Sequence, residues 1–445
     1  MRRPVPNDGW TIHRSKGSPV ECNASSQVLS YLRNVTFVKK RYAMGGYAVG
    51  ATAARTGDEM SGPALLLAGV AITGSVSTAS SLLAGIMISA AIGGPVFGVL
   101  LDRATRPGRL LAWALGVYAA GLAAILASLG RLPVVVTILI AVCVGLLGPA
   151  LSGGWTSQLP RVATGEQLPR ANALDAMTFN LASLVGPALA GIVAGVWGAS
   201  AGVVVSAALI CSALPSALTL PAIPKANSRP SPSVASALAA GIRAIVRSRE
   251  LARATTTSVI SCAGQGMLIA CIPLLGESLG VAGYGAILLS VTAASALVAN
   301  AILARHPRLL SPDTIIWCST IVLAVALVLL ATGRPALLIT AMVLAGIGEG
   351  PQLTALFAIR HREAPGHLRG QIFTTGASLK ITGFALGAGI AGPVADWSPS
   401  GALLTAAGTQ VLAALGFAWH SRAHPRAIVT CSPELPGAPV EPDDR

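Results

Sequence analysis

Charge and aromatic side chains are what this sequence has least of. Only 11% of its 445 residues are Asp, Glu, Lys or Arg and 4% are aromatic, against 53% that are hydrophobic. A soluble domain carries about a quarter of its residues charged, so water is not the main solvent of this chain. Motifs are missing too. No Walker loop, metal-ligand cluster or plausible catalytic triad is present, which speaks against an ATPase or a hydrolase and leaves no cofactor or metal to expect. The seven cysteines are odd in number and show no CxxC spacing, as small packing residues would. The first 40 residues lack the apolar core and small-residue cleavage site of a signal peptide, so the first apolar run is the expected insertion signal. The six histidines, His361 among them, fall in tails, in basic loops or at a helix end, which argues against a histidine relay at membrane depth.

What the sequence has in abundance is long apolar runs. A hydrocarbon core of about 30 Å takes roughly 20 apolar residues as a helix, and twelve such windows follow one another from 45–71 to 400–419. The predicted fold is all-α, with twelve transmembrane helices. The formal charge of +14 is unevenly spread. The N-terminal segment and every second loop are basic, as in Arg103, Arg106 and Arg109 or in Arg360, Arg362 and Arg369, whereas the alternate loops hold only Arg131 and Arg334. By the positive-inside rule both termini and the central loop are cytoplasmic in a cell membrane, and the basic balance answers to lipid rather than to nucleic acid.

The twelve runs divide into two sixes. Gly130-Arg131-Leu132-Pro133 before one run returns as Gly333-Arg334-Pro335 before another, a shift of 203 residues. Asp102-Arg103 falls opposite Ala304-Arg305, and Pro169-Arg170 opposite Leu368-Arg369. Two parallel six-helix repeats, 45–222 and 254–420, are expected, with a solute site between them. Residues 1–44 are expected to be a cytoplasmic segment and 421–445 a disordered tail. The linker 223–253 starts rich in Pro and Ser, and then Val234 to Arg253 shows helical periodicity with Arg243, Arg247, Arg249 and Arg253 among apolar residues. It reads either as an interfacial basic helix or as a solvated connector.

Ionisable residues at membrane depth are the strongest markers of function, since each costs about 2.5 to 3.5 kcal/mol to insert unless paired or wetted. The first run holds Arg55, Asp58 and Glu59, with spacings that put both carboxylates within reach of the guanidinium on one helical face. One acid is expected to neutralise Arg55 while the other exchanges a proton; a purely helix-orienting ion pair is the alternative. Glu349 sits among Gly346, Gly348, Gly350 and Pro351, a loosened helix that suits a proton or cation site as well as a structural pair. Lys380 is its candidate partner or an anion contact, unless it stretches to the interface. Trp155, Asn180, Gln265 and Gln352 are candidates to line a substrate cavity, although each alone is more often a packing or hydrogen-bonding residue.

Gly98-Val-Leu-Leu-Asp102-Arg103-Ala-Thr-Arg106-Pro-Gly108-Arg109 resembles the G-x-x-x-D-R-x-G-R-R loop signature of the major facilitator superfamily, with two extra residues before its basic end. The resemblance implies that Gly98 lets helices approach and that Asp102, Arg103 and Arg109 belong to a cytoplasmic latch of the outward-facing state. The second copy, Asn300 to Arg308, has neither the Gly nor the Asp, which implies a one-sided latch. Asn180 to Gly191 is similar to the superfamily's antiporter signature, with Ala182 in place of its first glycine. Gly186, Pro187 and Gly191 are then expected to permit close packing and a bend, or else to be ordinary packing residues. Gly57-Asp58, Arg170-Ala-Asn172-Ala and Leu368-Arg-Gly-Gln371 look like the drug and siderophore exporters of that superfamily. Span 4, Val134 to Gly154, lacks the embedded Arg that many drug-proton antiporters use.

The resemblance implies a monomeric secondary transporter that exchanges protons for a small amphipathic molecule by alternating access. A nutrient importer or facilitator on the same scaffold is the second reading, and a non-transporting membrane sensor or scaffold the third.

Overall fold

The computed structural model describes residues 19–222, 233–278 and 284–422. The expected cytoplasmic segment up to residue 18, the Pro/Ser-rich lead at 223–232 and the tail from residue 423 lie outside the described residues. Among the described residues every regular element is helical, as apolar runs must be where no water satisfies the backbone. In chain order the elements are α1 (Pro19–Thr73), α2 (Val76–Arg103), α3 (Pro107–Ser128), α4 (Val134–Gly145) followed by a π-helical turn (Ala150–Gly154), α5 (Leu159–Val162), a 3-10 turn (Gly165–Gln167), α6 (Leu168–Trp197), α7 (Ala199–Ser212) and α8 (Leu214–Leu218). After the linker come α9 (Val234–Arg247), α10 (Arg249–Ser278), α11 (Tyr284–Arg305), α12 (Pro312–Ala331), α13 (Pro335–Glu363), α14 (Arg369–Trp397) and α15 (Pro399–Arg422).

Local chemistry sets the boundaries. Pro107, Pro312 and Pro335 open their helices, where no amide donor is needed. Ser75 and Ser311 cap α2 and α12 by accepting from the amides of Thr78 and Thr314. Gly130 and Gly333, the matched pair of the repeat, both take a positive φ, 70° and 63°, so both halves make the same tight turn with the residue that tolerates it.

Eleven helices among the described residues are long and apolar enough to cross a bilayer. α1 falls outside that set, its apolar run being diluted by Arg55, Asp58 and Glu59, and with it the crossing helices number the expected twelve. Ile92, Val135 and Leu415 point outward at 64% exposure or more, as side chains solvated by lipid would. The predicted helix over Val234 to Arg253 is broken at Ser248, whose extended backbone ends α9. Arg249 and Arg253 therefore belong to α10, and Arg253 is buried against Glu250, Asp313 and the ring of Phe417.

Buried apolar side chains from Tyr47 to Leu220 form one cluster, and those from Met267 to Ala407 another. Each bundle thus has its own core. Where the bundles meet, α2 packs on α14 and α6 on α11.

Candidate functional site

A cavity of about 530 Å³ lies between the two bundles. α1 contributes Arg55, Asp58 and Glu59 to its wall, α3 contributes Tyr118, α13 contributes Arg360, and α14 contributes Lys380. The π-helical turn adds Ser152 and Gly153.

Asp58 is half-buried and accepts a 2.8 Å hydrogen bond from the Tyr118 hydroxyl. Glu59, one residue on, is exposed to the cavity. Behind it Gly186 of α6 stands so close that a Cβ there would meet Glu59 Cβ at 2.8 Å and the Met60 amide nitrogen at 2.9 Å. That glycine is what brings α6 against α1 beside the acid. Pro187 reaches the cavity, whereas Gly191 is exposed with open space around it and brings no helix close. Glu349 of α13 lies within electrostatic reach of Glu59 and of Lys380, without an ion-pair contact to the lysine.

The expected pairing of Arg55 with Asp58 and Glu59 is not the one formed. Its guanidinium turns into the α1–α6 contact and pairs with Asp175 at 2.8 Å, both side chains being almost fully buried. Thr156 and Thr178 accept further hydrogen bonds from it, and it stacks 3.7 Å from the centroid of Phe179. A carboxylate inside a buried contact attracts the guanidinium more strongly than two neighbours that face the cavity. Both local acids are thereby left without a cation in contact among the described residues.

Two side chains that read as basic-loop residues are buried in the helix interface. His361 is bonded to Asn172 Oδ1 at 2.8 Å and to the Thr156 carbonyl at 3.2 Å. Arg360 is 1% exposed and lines the cavity, packed against Gly376 and 5.9 Å from the Phe373 centroid. Phe179, Phe357 and Phe373 form a chain of tilted rings with centroids 5.7 and 6.0 Å apart.

The four amide and aromatic candidates lie elsewhere. Trp155 is fully buried beside Tyr47, Gln352 bonds to Ser261, Gln265 accepts from Cys262, and Asn180 is buried in α6. None of them is among the residues lining the cavity.

At its basic end the cavity is closed. Leu368, the N-cap residue ahead of α14, offers no side-chain cap, and the missing acceptor comes from the other bundle. Asp102 of α2 takes the amides of Gly370 at 2.7 Å and Gln371 at 2.8 Å, with the positive charges of Arg161 and Arg369 beside it. Gly98 makes this approach possible, since a Cβ there would overlap the Thr374 hydroxyl and the Gln371 backbone. Burial and the neighbouring Arg369 lower the pKa of Arg161 from the usual arginine range. Gln371 in turn donates to the Leu238 carbonyl at 3.0 Å, and Arg103 donates to the Ser233 carbonyl at 3.2 Å, so α9 is tied across the closed end. Arg109, expected in this latch, is exposed and makes no side-chain hydrogen bond among the described residues. At the same basic end, an exposed pair of Arg308 and Glu166 at 2.9 Å joins the halves, just past α11 and just ahead of α6.

A family model described as Major Facilitator Superfamily matches residues 47–379. A relative from Sinorhizobium fredii (strain NBRC 101917 / NGR234), described as an uncharacterized MFS-type transporter, y4rN, is 28% identical over 292 residues, 64% of this chain and 70% of that protein. Among solved structures the fold is similar to that of the human organic anion transporter MFSD10 (TETRAN), with a TM-score of 0.71 at 14% identity over 85% of this chain and 99% of that one. It is also similar to a bacterial homologue of the iron transporter ferroportin in an outward-facing state, with a TM-score of 0.69 at 13% identity over 85% and 99%. The E. coli fucose:proton symporter FucP gives 0.65 at 14% identity over 86% and 99%.

Proposed function

From the premise that this chain belongs to the Major Facilitator Superfamily, we propose that it is a secondary active exporter exchanging protons for a small amphipathic compound. The observation that carries this reading is the state of Asp58 and Glu59. Both reach the cavity between the bundles, and neither is neutralised by an ion pair among the described residues. Closing a cavity around a carboxylate costs more than closing it around a carboxylic acid. A proton taken by either acid from outside therefore permits closure, and its release on the cytoplasmic side resets the carrier.

The basic end is cytoplasmic on this reading, by the positive-inside rule, so the Asp102 latch closes the inner side and the conformation is outward-facing. Alternating access then means breaking the Asp102 cap, parting α2 from α14 and α6 from α11, and rocking the bundles around the cavity. Glu349 of the second bundle, outside the cavity lining, lies within electrostatic reach of Glu59 and of Lys380, and on this reading it passes the protonation of the first bundle to the second. The cavity is built within one chain, which supports a monomer as the working unit in the cell membrane.

The test uses purified protein in liposomes with an imposed pH gradient and a panel of fluorescent amphipathic dyes. Gradient-driven movement of at least one dye is expected, with large losses in Asp58→Asn and Glu349→Gln. Full pH-driven transport by both variants sinks the coupling scheme, and counterflow of dye without any ion gradient favours a facilitator.

A further inference from the structure

Three arginines with almost no exposure sit in or beside the helix bundles. Arg55 has Asp175, and Arg253 has Glu250 and Asp313. Arg360, at 1% exposure, has no acceptor at all among the described residues, and its Nε and Nη2 are buried without a hydrogen-bond partner. A guanidinium out of water is retained at a large cost unless something satisfies it, and this one lines the cavity. The two carboxylates that line the cavity do not serve it. Asp58 is held by Tyr118, and Glu59 makes no ion pair with it among the described residues; Glu349, outside the lining, answers to Lys380.

The surroundings suit one kind of partner. Gly376 leaves room for the flat guanidinium, and Lys380 stands one turn along the same face of α14, so a second positive charge lies on the same wall. Phe373 and Phe357 continue from Arg360 toward Phe179 as a wall of rings. A planar fork that donates two parallel bonds matches a carboxylate, and the volume of about 530 Å³ takes a drug-sized molecule.

We infer that Arg360 anchors the carboxylate of an organic monoanion whose flat apolar body lies against Phe357, Phe373 and Phe179. This rests on the carrier reading and specifies its cargo as an acidic, not a basic, amphipathic compound.

The test uses the purified full chain and three isosteric probes, 2-naphthoate, 2-naphthamide and 2-naphthylmethylammonium, with binding measured by equilibrium dialysis. Naphthoate is expected to bind at least about tenfold more tightly than the amide, and the ammonium more weakly still. Arg360→Gln removes the preference for the anion, while Arg360→Lys keeps it at lower affinity. The thermal midpoint of ligand-free Arg360→Gln is expected to equal or exceed that of the parent, because an unpaired buried charge has been removed. No naphthoate binding at millimolar concentration, equal or tighter binding of the amide or ammonium, an unchanged preference in Arg360→Gln, or a fall in its midpoint overturns the assignment. Uptake of the probes into liposomes is scored separately. Anion binding without any transport leaves the Arg360 site standing and removes the carrier reading, whereas transport of the neutral or cationic probe without anion binding does the reverse.

Discussion

Asp102 in the first bundle holds the amide of Gln371 in the second at 2.8 Å, and so caps a helix that its own sequence leaves uncapped. The closed end is thus made by a helix terminus and a carboxylate, groups whose attraction includes the helix dipole. Removing a capping side chain costs about 1 kcal/mol and up to about 2, which moves a two-state ratio by roughly five- to thirtyfold. Asp102→Ala is expected to shift the population toward the state open at the basic end, and Asp102→Asn to shift it less, since one amide oxygen still caps. Cross-linking between cysteines placed at Glu166 and Arg308, in a background without the native cysteines, reads the closed state. Equal cross-linking in parent and Asp102→Ala protein contradicts the role given to this residue.

Gly98 is the second element of that closure. A valine there would drive its side chain into Gln371 and Thr374, so Gly98→Val is expected to lower the same cross-linking yield strongly while the protein still inserts and purifies. Undiminished yield contradicts it.

Gly186 and Gly191 share one motif and are predicted to differ. Gly186→Val pushes into Glu59 and Met60 and is expected to cost on the order of 1 to 3 kcal/mol by overpacking. Gly191→Val, with open space around it, should stay within about 0.5 kcal/mol. Thermal unfolding in detergent compares them, and similar losses at both sites contradict the prediction.

Arg55 and Asp175 form a buried pair, and leaving either alone should cost about 3 to 5 kcal/mol. Asp175→Asn and Arg55→Gln are each expected to lower the thermal midpoint clearly. The double replacement Arg55→Met with Asp175→Leu should recover part of the loss, because it leaves no unpaired charge. A double variant as unstable as the sum of the singles contradicts this.

Much of this molecule was legible in its chain. Hydropathy reveals the spans because lipid allows few alternatives to a helix, and Gly130 and Gly333 mark the repeat because a tight turn needs that residue. Asp58 and Glu59 stood out as charges deep in an apolar run. Asp175 did not, since it lies close to the start of its span, near Arg170, where a charge is ordinary. Arg360 and His361 were hidden in a run of basic residues at a helix end. A signal was available: no helix breaker intervenes before Pro365, and helical spacing puts Arg360 on the face of Phe357 and Leu353. The partner of Arg55 had no such signal, because a pairing across 120 residues is settled by how α1 and α6 pack and not by local spacing.

Exchange of protons for solute is measured most directly with a pH-sensitive dye trapped inside liposomes that contain the protein. With no imposed gradient, adding a transported compound to one side should produce a pH change inside that is opposite in sign to an uncoupled leak and is absent in the combined Asp58→Asn, Glu59→Gln, Glu349→Gln protein. Solute movement with no pH change, or an unaltered pH change in the triple variant, would contradict proton exchange through these acids.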